Sequence, residues 1–383
     1  MIRHTLPVKC AAAVLAFLAV TAGAQTNYYI NDTNTAGDVY TTAIGGSGNN
    51  GQSPATPMDS LQRVLDTYDL GPGDTIWVDT GRYRYTGNFA IWTNQDSGSF
   101  GVPLVLQGST NAAAGGSMFD GSGGPGNATG LYCENVDDLV VRNLELRAMG
   151  YGAYLINSDR FVAEDLWVVS NNVLGIQMGS SPGARFNRCA AIRCYEALTA
   201  PVQATWENGL IWRSTYIACN VGNGGSLKMR SSIVVQDSGY VYAGAVGGVT
   251  GDYNVVSLSG VAVMAYTTSG GEMAWPRLSD YQKAFDREWN SASLDPAFAG
   301  AAALDFHLKS EAGRYVPGSG WTNDVVTSPA VDFGDPAAAF TNEPLPNGSR
   351  INAGVHGNSA EASLSRTNAW LLALTYNEGG LVS

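Results

Sequence analysis

Short apolar-x-apolar pairs recur along the middle of the chain about every twenty-two residues, and a repeat of that length restricts the fold more than any other feature. The first series is Leu131/Cys133, Ala153/Leu155, Ile176/Met178, Leu198/Ala200, Cys219/Val221 and Val241/Ala243. A second series follows at Leu144/Leu146, Leu166/Val168, Cys189/Ala191, Leu210/Trp212, Ile233/Val235 and, more weakly, Val255. Between them lies a less regular set, Leu139/Val141, Phe161/Ala163, Ala184/Phe186 and Leu227/Met229. Each repeat therefore carries three short strands that alternate in and out. One such strand cannot bury its apolar face alone, but coils stacked about 4.8 Å apart bury a continuous one. The spacing predicts a parallel β-solenoid. An antiparallel sandwich accounts for frequent short strands, yet gives no reason for a three-strand period to persist. Asn143, Asp165, Asn208, Ser232 and Asn254 recur just before the third strand, where a polar side chain at a tight turn bonds the neighbouring backbone.

A stack of coils accounts for 383 residues as one elongated domain. Charged residues are 14% of the chain against roughly 25% in ordinary globular proteins, which excludes long charged helices. With 21 Lys and Arg against 33 Asp and Glu, the surface field repels phosphate backbones, so nucleic acid is excluded as a partner. Arg3, His4 and Lys9 precede an apolar run through Val20, and Ala22-Gly23-Ala24 supplies a signal-peptidase site. Residues 1–24 are thus expected to be a cleaved signal peptide that directs the protein to the cell surface or the medium. The run is about half the length of a membrane span, and none follows it. Loss of Arg3 and Lys9 with this leader takes the net charge from −12 to −14. Four cysteines remain. Cys133 and Cys219 share one series but sit four coils apart, roughly 19 Å, beyond disulfide reach. Cys189 and Cys194 lie in one extended stretch, so all four are expected to be buried free thiols.

The open ends of a solenoid need covers. Leu61, Val64 and Leu65 at helical spacing after Pro57, stopped by Gly71-Pro72-Gly73, predict a capping helix over 58–69. Ile76 and Val78 in the next strand face inward. Three segments then resemble the secreted right-handed parallel β-helix repeat proteins of the pectate-lyase-like superfamily. The first runs from Tyr28-Tyr29-Ile30-Asn31-Asp32 to Ser53-Pro54-Ala55-Thr56-Pro57, followed by Gly73-Asp74-Thr75-Ile76-Trp77-Val78-Asp79-x-Gly81-x-Tyr83. The second is Leu294-Asp295-Pro296-Ala297-Phe298 with Asp305-Phe306-His307-Leu308. The third is Ser328-Pro329-Ala330-Val331-Asp332-x-Gly334-Asp335-Pro336 with Pro346-Asn347-Gly348-x-Arg350-Ile351-Asn352-x-Gly354. The resemblance implies an all-β, right-handed parallel β-helix, an architecture that hosts lyases, hydrolases and adhesins alike. The expected organisation is a cap and first coil over 25–102, coils over 103–261, and a lateral helix insertion with an irregular tail over 262–368. A capping box at Ser279-x-x-Gln282 opens the inserted helix. The apolar segment 369–383 reads as the start of a further strand or domain.

In enzymes of that superfamily the sugar polymer lies along the outside of the stacked strands. The outward neighbours of the first series are Tyr132, Tyr154, Gln177, Thr199, Asn220 and Tyr242, a column of aromatic and hydrogen-bonding groups suited to an extracellular polysaccharide. The same tyrosines are also simply good strand formers. Lys228 and Arg230, outward around Leu227 and Met229, offer a base and a carboxylate-neutralising cation for a polysaccharide lyase. No acidic calcium cluster accompanies them at matching coil positions. Asp137-Asp138 suggests the paired carboxylates of a glycoside hydrolase, but neither the further aspartate nor the Gly-His-Gly segment of polygalacturonase-like enzymes is present, and a turn explains it. Asp32-x-Asn34 with Asp38 has oxygens that could hold calcium, although the spacing fits turn capping better than an EF-hand. His307 and His356, the histidines left after leader removal, both lie in the tail. The glycines from Gly121 to Gly126 open no helix and give no phosphate-binding signal. The reading favours a non-catalytic module that binds carbohydrate or a surface ligand along its strand face, with a polysaccharide lyase or glycoside hydrolase as the alternative.

Overall fold

The computed structural model describes residues 25–84, 87–124 and 126–366; the expected leader and the segment 369–383 lie outside them. The repeat folds as a parallel β-helix. Among the described residues, one sheet of nine strands carries the first series, including Thr129–Glu134, Tyr151–Ile156, Leu174–Gly179, Glu196–Ala200, Ile217–Val221, Tyr240–Gly244 and Val263–Thr267. A larger sheet of fifteen strands carries the other two series, joined in the early coils as single bent strands such as Leu139–Arg147 and Val162–Val169. The bend falls at Asn143, Asp165, Arg188, Asn208, Ser231 and Tyr253, all left-handed with φ between 50° and 57°. Asn and Asp adopt that conformation readily. Arg188 does so while its guanidinium grips the carboxylate of Asp165, the corner residue one coil away, at 2.8 and 2.7 Å.

Inside, registered columns run along the stack. Leu131, Ala153, Ile176, Leu198 and Cys219 succeed one another as expected, and an aromatic column of Phe161, Phe186 and Trp206 has ring centroids 6.0 and 5.6 Å apart. The next position after Cys219 is Tyr242, not Val241, so Tyr242 points inward and is fully buried. A similar one-residue difference affects the second series. Ala191, Ile211, Val234 and Val256 line the interior, while Leu210, Trp212, Ile233 and Val255 face outward. Both faces of these strands are apolar because both are covered, so alternation gave no bias toward either register. Ser232 and Asn254 lie one residue past the corner and stack as a buried polar ladder: Gly209 N–H donates to Ser232 Oγ, and Ser232 N–H to Asn254 Oδ1, each at 3.0 Å.

Helix α1 (Leu61–Thr67), N-capped by Ser60, buries Leu61, Val64 and Leu65 as the sequence required. Helix α2 (Leu278–Phe285) differs from expectation in its cap. Its N-cap is Arg277, whose N–H donates to Asp280 Oδ2 at 3.1 Å, and it packs Leu278 and Tyr281 into the main core. Just beyond it Glu288 enters the same end of the core. It accepts hydrogen bonds from Tyr242 Oη at 2.8 Å, from Asn254 Nδ2 at 3.0 Å and from the Ser291 hydroxyl. Burial raises its carboxyl pKa against the opposing effect of those donors. Met273–Trp275 pairs antiparallel with Val263–Thr267, so the parallel ladder of the nine-stranded sheet stops there.

The tail then turns back along the outside. Two antiparallel hairpins, Phe298–Gly300 with Asp305–Leu308 and Arg314–Val316 with Gly320–Thr322, are followed by a turn-rich stretch. Phe306, Leu308, Ala330, Ala353 and Val355 from this tail form a second core with the outward Leu210, Trp212, Ile233 and Val255. The four cysteines among the described residues are free and buried, as the coil spacing implied. Burial pushes the thiol of Cys194 up to about 11 and that of Cys189 to about 12, with Cys133 and Cys219 also raised.

Candidate functional site

The outer face of the nine-stranded sheet carries a tyrosine ribbon wider than the sequence column suggested. Tyr132, Tyr154, Gln177, Thr199 and Asn220 are successive register partners, as expected, but the column continues through Ala243 to Tyr266 and not through Tyr242. Six strand spacings make the run from Tyr132 to Tyr266 about 29 Å long. Beside it Tyr195, Tyr216, Tyr240 and Tyr266 form a chain of ring contacts at 5.2, 5.8 and 4.6 Å, and Tyr151 stacks on Tyr154 at 5.5 Å. Stacked members such as Tyr240 and Tyr266 occupy one another's faces and offer ring edges, with the Tyr266 hydroxyl donating to Glu272 Oε1 at 2.9 Å. In the perpendicular pair Tyr132 and Tyr154, the ring presenting its edge keeps both faces clear of its partner. Glu196 holds the middle of the ribbon, accepting from Thr199 Oγ1 and Asn220 Nδ2 at 3.2 Å each. Tyrosines at 195, 216 and 240 keep the coil period, so their alignment could have been found from spacing alone.

Lys228 and Arg230 lie on the other sheet, away from the tyrosines, and each is paired. Lys228 Nζ is 3.1 Å from Glu207 Oε1, and Arg230 is 2.9 Å from Asp335 Oδ2 in the tail. The tail thus ties down one of the two cations required of a lyase site. Asp137 and Asp138 form a turn, Asp138 left-handed at φ 52°, and both bind Arg160 of the next coil. Asp32 and Asn34 accept backbone N–H groups two residues ahead, and Asp38 Oδ2 accepts from Asn31 Nδ2 at 2.6 Å, while Asp38 Oδ1 is buried without a hydrogen-bond partner.

The tertiary structure adds a second site. A cleft of about 940 Å³ opens between the outer face of the larger sheet and the docked tail. Its solenoid wall carries Asp165 with Arg188 and Glu145 with Arg147; its tail wall carries His307, His356 and Glu361. His307 and His356, 49 positions apart, stack with centroids 3.8 Å apart and planes 12° apart. His307 Nδ1 lies 2.7 Å from Asp305 Oδ1, and its Nε2 lies 3.3 Å from Glu361 Oε2. Burial alone would depress the His307 pKa, but these two carboxylates outweigh it and raise it. His356 moves the other way, well below the ordinary value, through burial and the neighbouring His307 charge. Asp305 is also held by Arg314 at 3.6 Å, which in turn binds Asp324.

The family described as Disaggregatase related matches residues 279–334, a stretch from α2 into the tail. No curated protein matches the chain. Among solved structures, the chain is similar to pectate lyase Pel9A, with 17% identity over 87% of this chain and 97% of that one, at a TM-score of 0.40. A rhamnogalacturonan lyase matches with 14% identity over 61% of this chain and 74% of that one, at a TM-score of 0.39. The strand pairing of the chain itself establishes that it is a parallel β-helix, the fold implied by its resemblance to the pectate-lyase-like superfamily.

Proposed function

We propose that the protein is an exported, non-catalytic module that binds an extended polysaccharide along the tyrosine ribbon of the nine-stranded sheet. The observation that carries this reading is the run of polar and aromatic groups from Tyr132 to Tyr266, interrupted by Ala243, with Tyr195, Tyr216 and Tyr240 beside it. A linear ligand fits a linear array of hydroxyls, amides and ring edges spaced by the strand repeat, and tyrosine offers that surface at small entropic cost. A lyase centred on Lys228 and Arg230 is less well supported, because both cations are already engaged with carboxylates. The net negative charge favours a neutral polymer over an anionic one.

Affinity electrophoresis of the mature chain against neutral and acidic polysaccharides, with parallel assays for unsaturated and reducing-end products, tests the reading. Retardation without turnover is expected. Tyr132→Ala with Tyr154→Ala, or Tyr216→Ala with Tyr240→Ala, should weaken retention by about tenfold or more, since each pair removes two aromatic anchors. Retention unchanged in both double variants, or product release by the parent, would overturn it.

A further inference from the structure

We propose that His307, His356 and Glu361 form a binding site for a divalent transition-metal ion of the zinc class, open toward the cleft between solenoid and tail. The ligand atoms of all three side chains lie within 4.8 Å of one another, and among the described residues this is the one such grouping of three His, Cys, Asp or Glu side chains. Glu361 Oε2 lies beside the stacked pair, 3.3 Å from His307 Nε2 and 3.7 Å from His356 Nδ1.

The surroundings favour a metal site over a plain hydrogen-bonded cluster. Asp305 Oδ1 is 2.7 Å from His307 Nδ1, so with an ion bound Asp305 would hold the Nδ1–H tautomer and leave Nε2 free to ligate, the carboxylate–histidine support typical of metal ligands. Arg314 orients Asp305 from behind and is itself anchored by Asp324. Two imidazoles and one carboxylate suit zinc, cobalt or nickel, whereas calcium takes oxygen ligands. Three protein ligands leave a coordination position free, and the cleft provides space for a water molecule or a ligand there. The two rings stack nearly parallel, so an ion lying in the plane of both requires one to turn. His356 lines the cleft and is the ring that would turn.

This site lies against the fifteen-stranded sheet, not the nine-stranded sheet that carries the tyrosine ribbon, and does not depend on that ribbon. The test is equilibrium dialysis and calorimetry of the chelator-stripped mature chain with Zn²⁺, together with the visible spectrum of the Co²⁺ form. One equivalent is expected to bind, with cobalt bands indicating nitrogen and oxygen ligation in low-coordinate geometry. His307→Ala and His356→Ala should abolish that stoichiometric uptake, and Asp305→Asn, which leaves all three ligands in place, should weaken it about 10- to 100-fold. Glu361 is partly exposed, so Glu361→Gln tests the site without a core substitution if either histidine variant fails to fold. Absence of saturable uptake by the parent would overturn the proposal. So would uptake and a cobalt spectrum unaltered by Glu361→Gln and by the folded histidine variants.

Discussion

Glu343 makes the stability of the tail depend on pH in a calculable way. Its side chain is 5% exposed, with Oε1 accepting N–H groups from Asn352 and Asn358 at 2.8 Å each, while Oε2 is buried without a hydrogen-bond partner. Burial pushes its pKa up to about 7 from the ordinary 4.5, against those two N–H donors and with a small contribution from the Asp332 charge. The folded state therefore holds this proton more tightly than the unfolded chain does. Its contribution is fully present below about pH 4.5 and is lost as pH rises through about 7. At about 1.4 kcal/mol per pH unit, the gap corresponds to about 3 kcal/mol of stability lost between about pH 4 and about pH 8. Glu343→Gln keeps an oxygen for Asn352 and Asn358 and removes the titration. The buried amide adds a cost that does not vary with pH, so the informative quantity is the difference between parent and variant followed across pH. Urea melts of both proteins over that range should show the parent losing about 3 kcal/mol relative to the variant as pH rises. A difference that stays flat with pH would refute the assignment of a buried, protonated carboxyl at this position.

Trp212→Ala should detach the tail more than it disturbs the solenoid, because Trp212 faces outward and packs on Phe306 at 5.6 Å; a loss of about 3–5 kcal/mol, with early proteolytic cleavage within residues 298–366, is the expected result. Tyr242→Phe should cost about 1–3 kcal/mol in thermal or urea unfolding by leaving Glu288 short of a donor, and should leave polysaccharide retention unchanged, since Tyr242 lies inside the coil. In a thiol-labelling assay the mature native protein should be unreactive at neutral pH, and all four cysteines should react once it is unfolded, because burial both shields the thiols and raises their pKa values.

The sequence by itself determined the coil. A period near twenty-two, alternation such as Leu131-Tyr132-Cys133 with one apolar and one polar face, and turn-forming Asn143, Asp165 and Asn208 leave few alternatives to stacked parallel strands. It also revealed α1 and the isolation of the cysteines, since both follow from local spacing and a fixed strand separation. At Leu210-Ile211-Trp212, Ile233-Val234-Val235 and Val241-Tyr242-Ala243 the inward position is one residue away from the one that alternation marks, because neighbouring positions there are all apolar or buried. Alternation carries information only when one face meets water, and on the first two strands both faces are covered, one by the core and one by the tail. The tyrosine face was partly legible because it repeats with the coil. The cleft was not, because His307, His356 and Glu361 lie on turn-rich segments without periodicity. Their meeting depends on how the tail docks on Trp212 and Ile233, a long-range packing decision that only the tertiary structure makes.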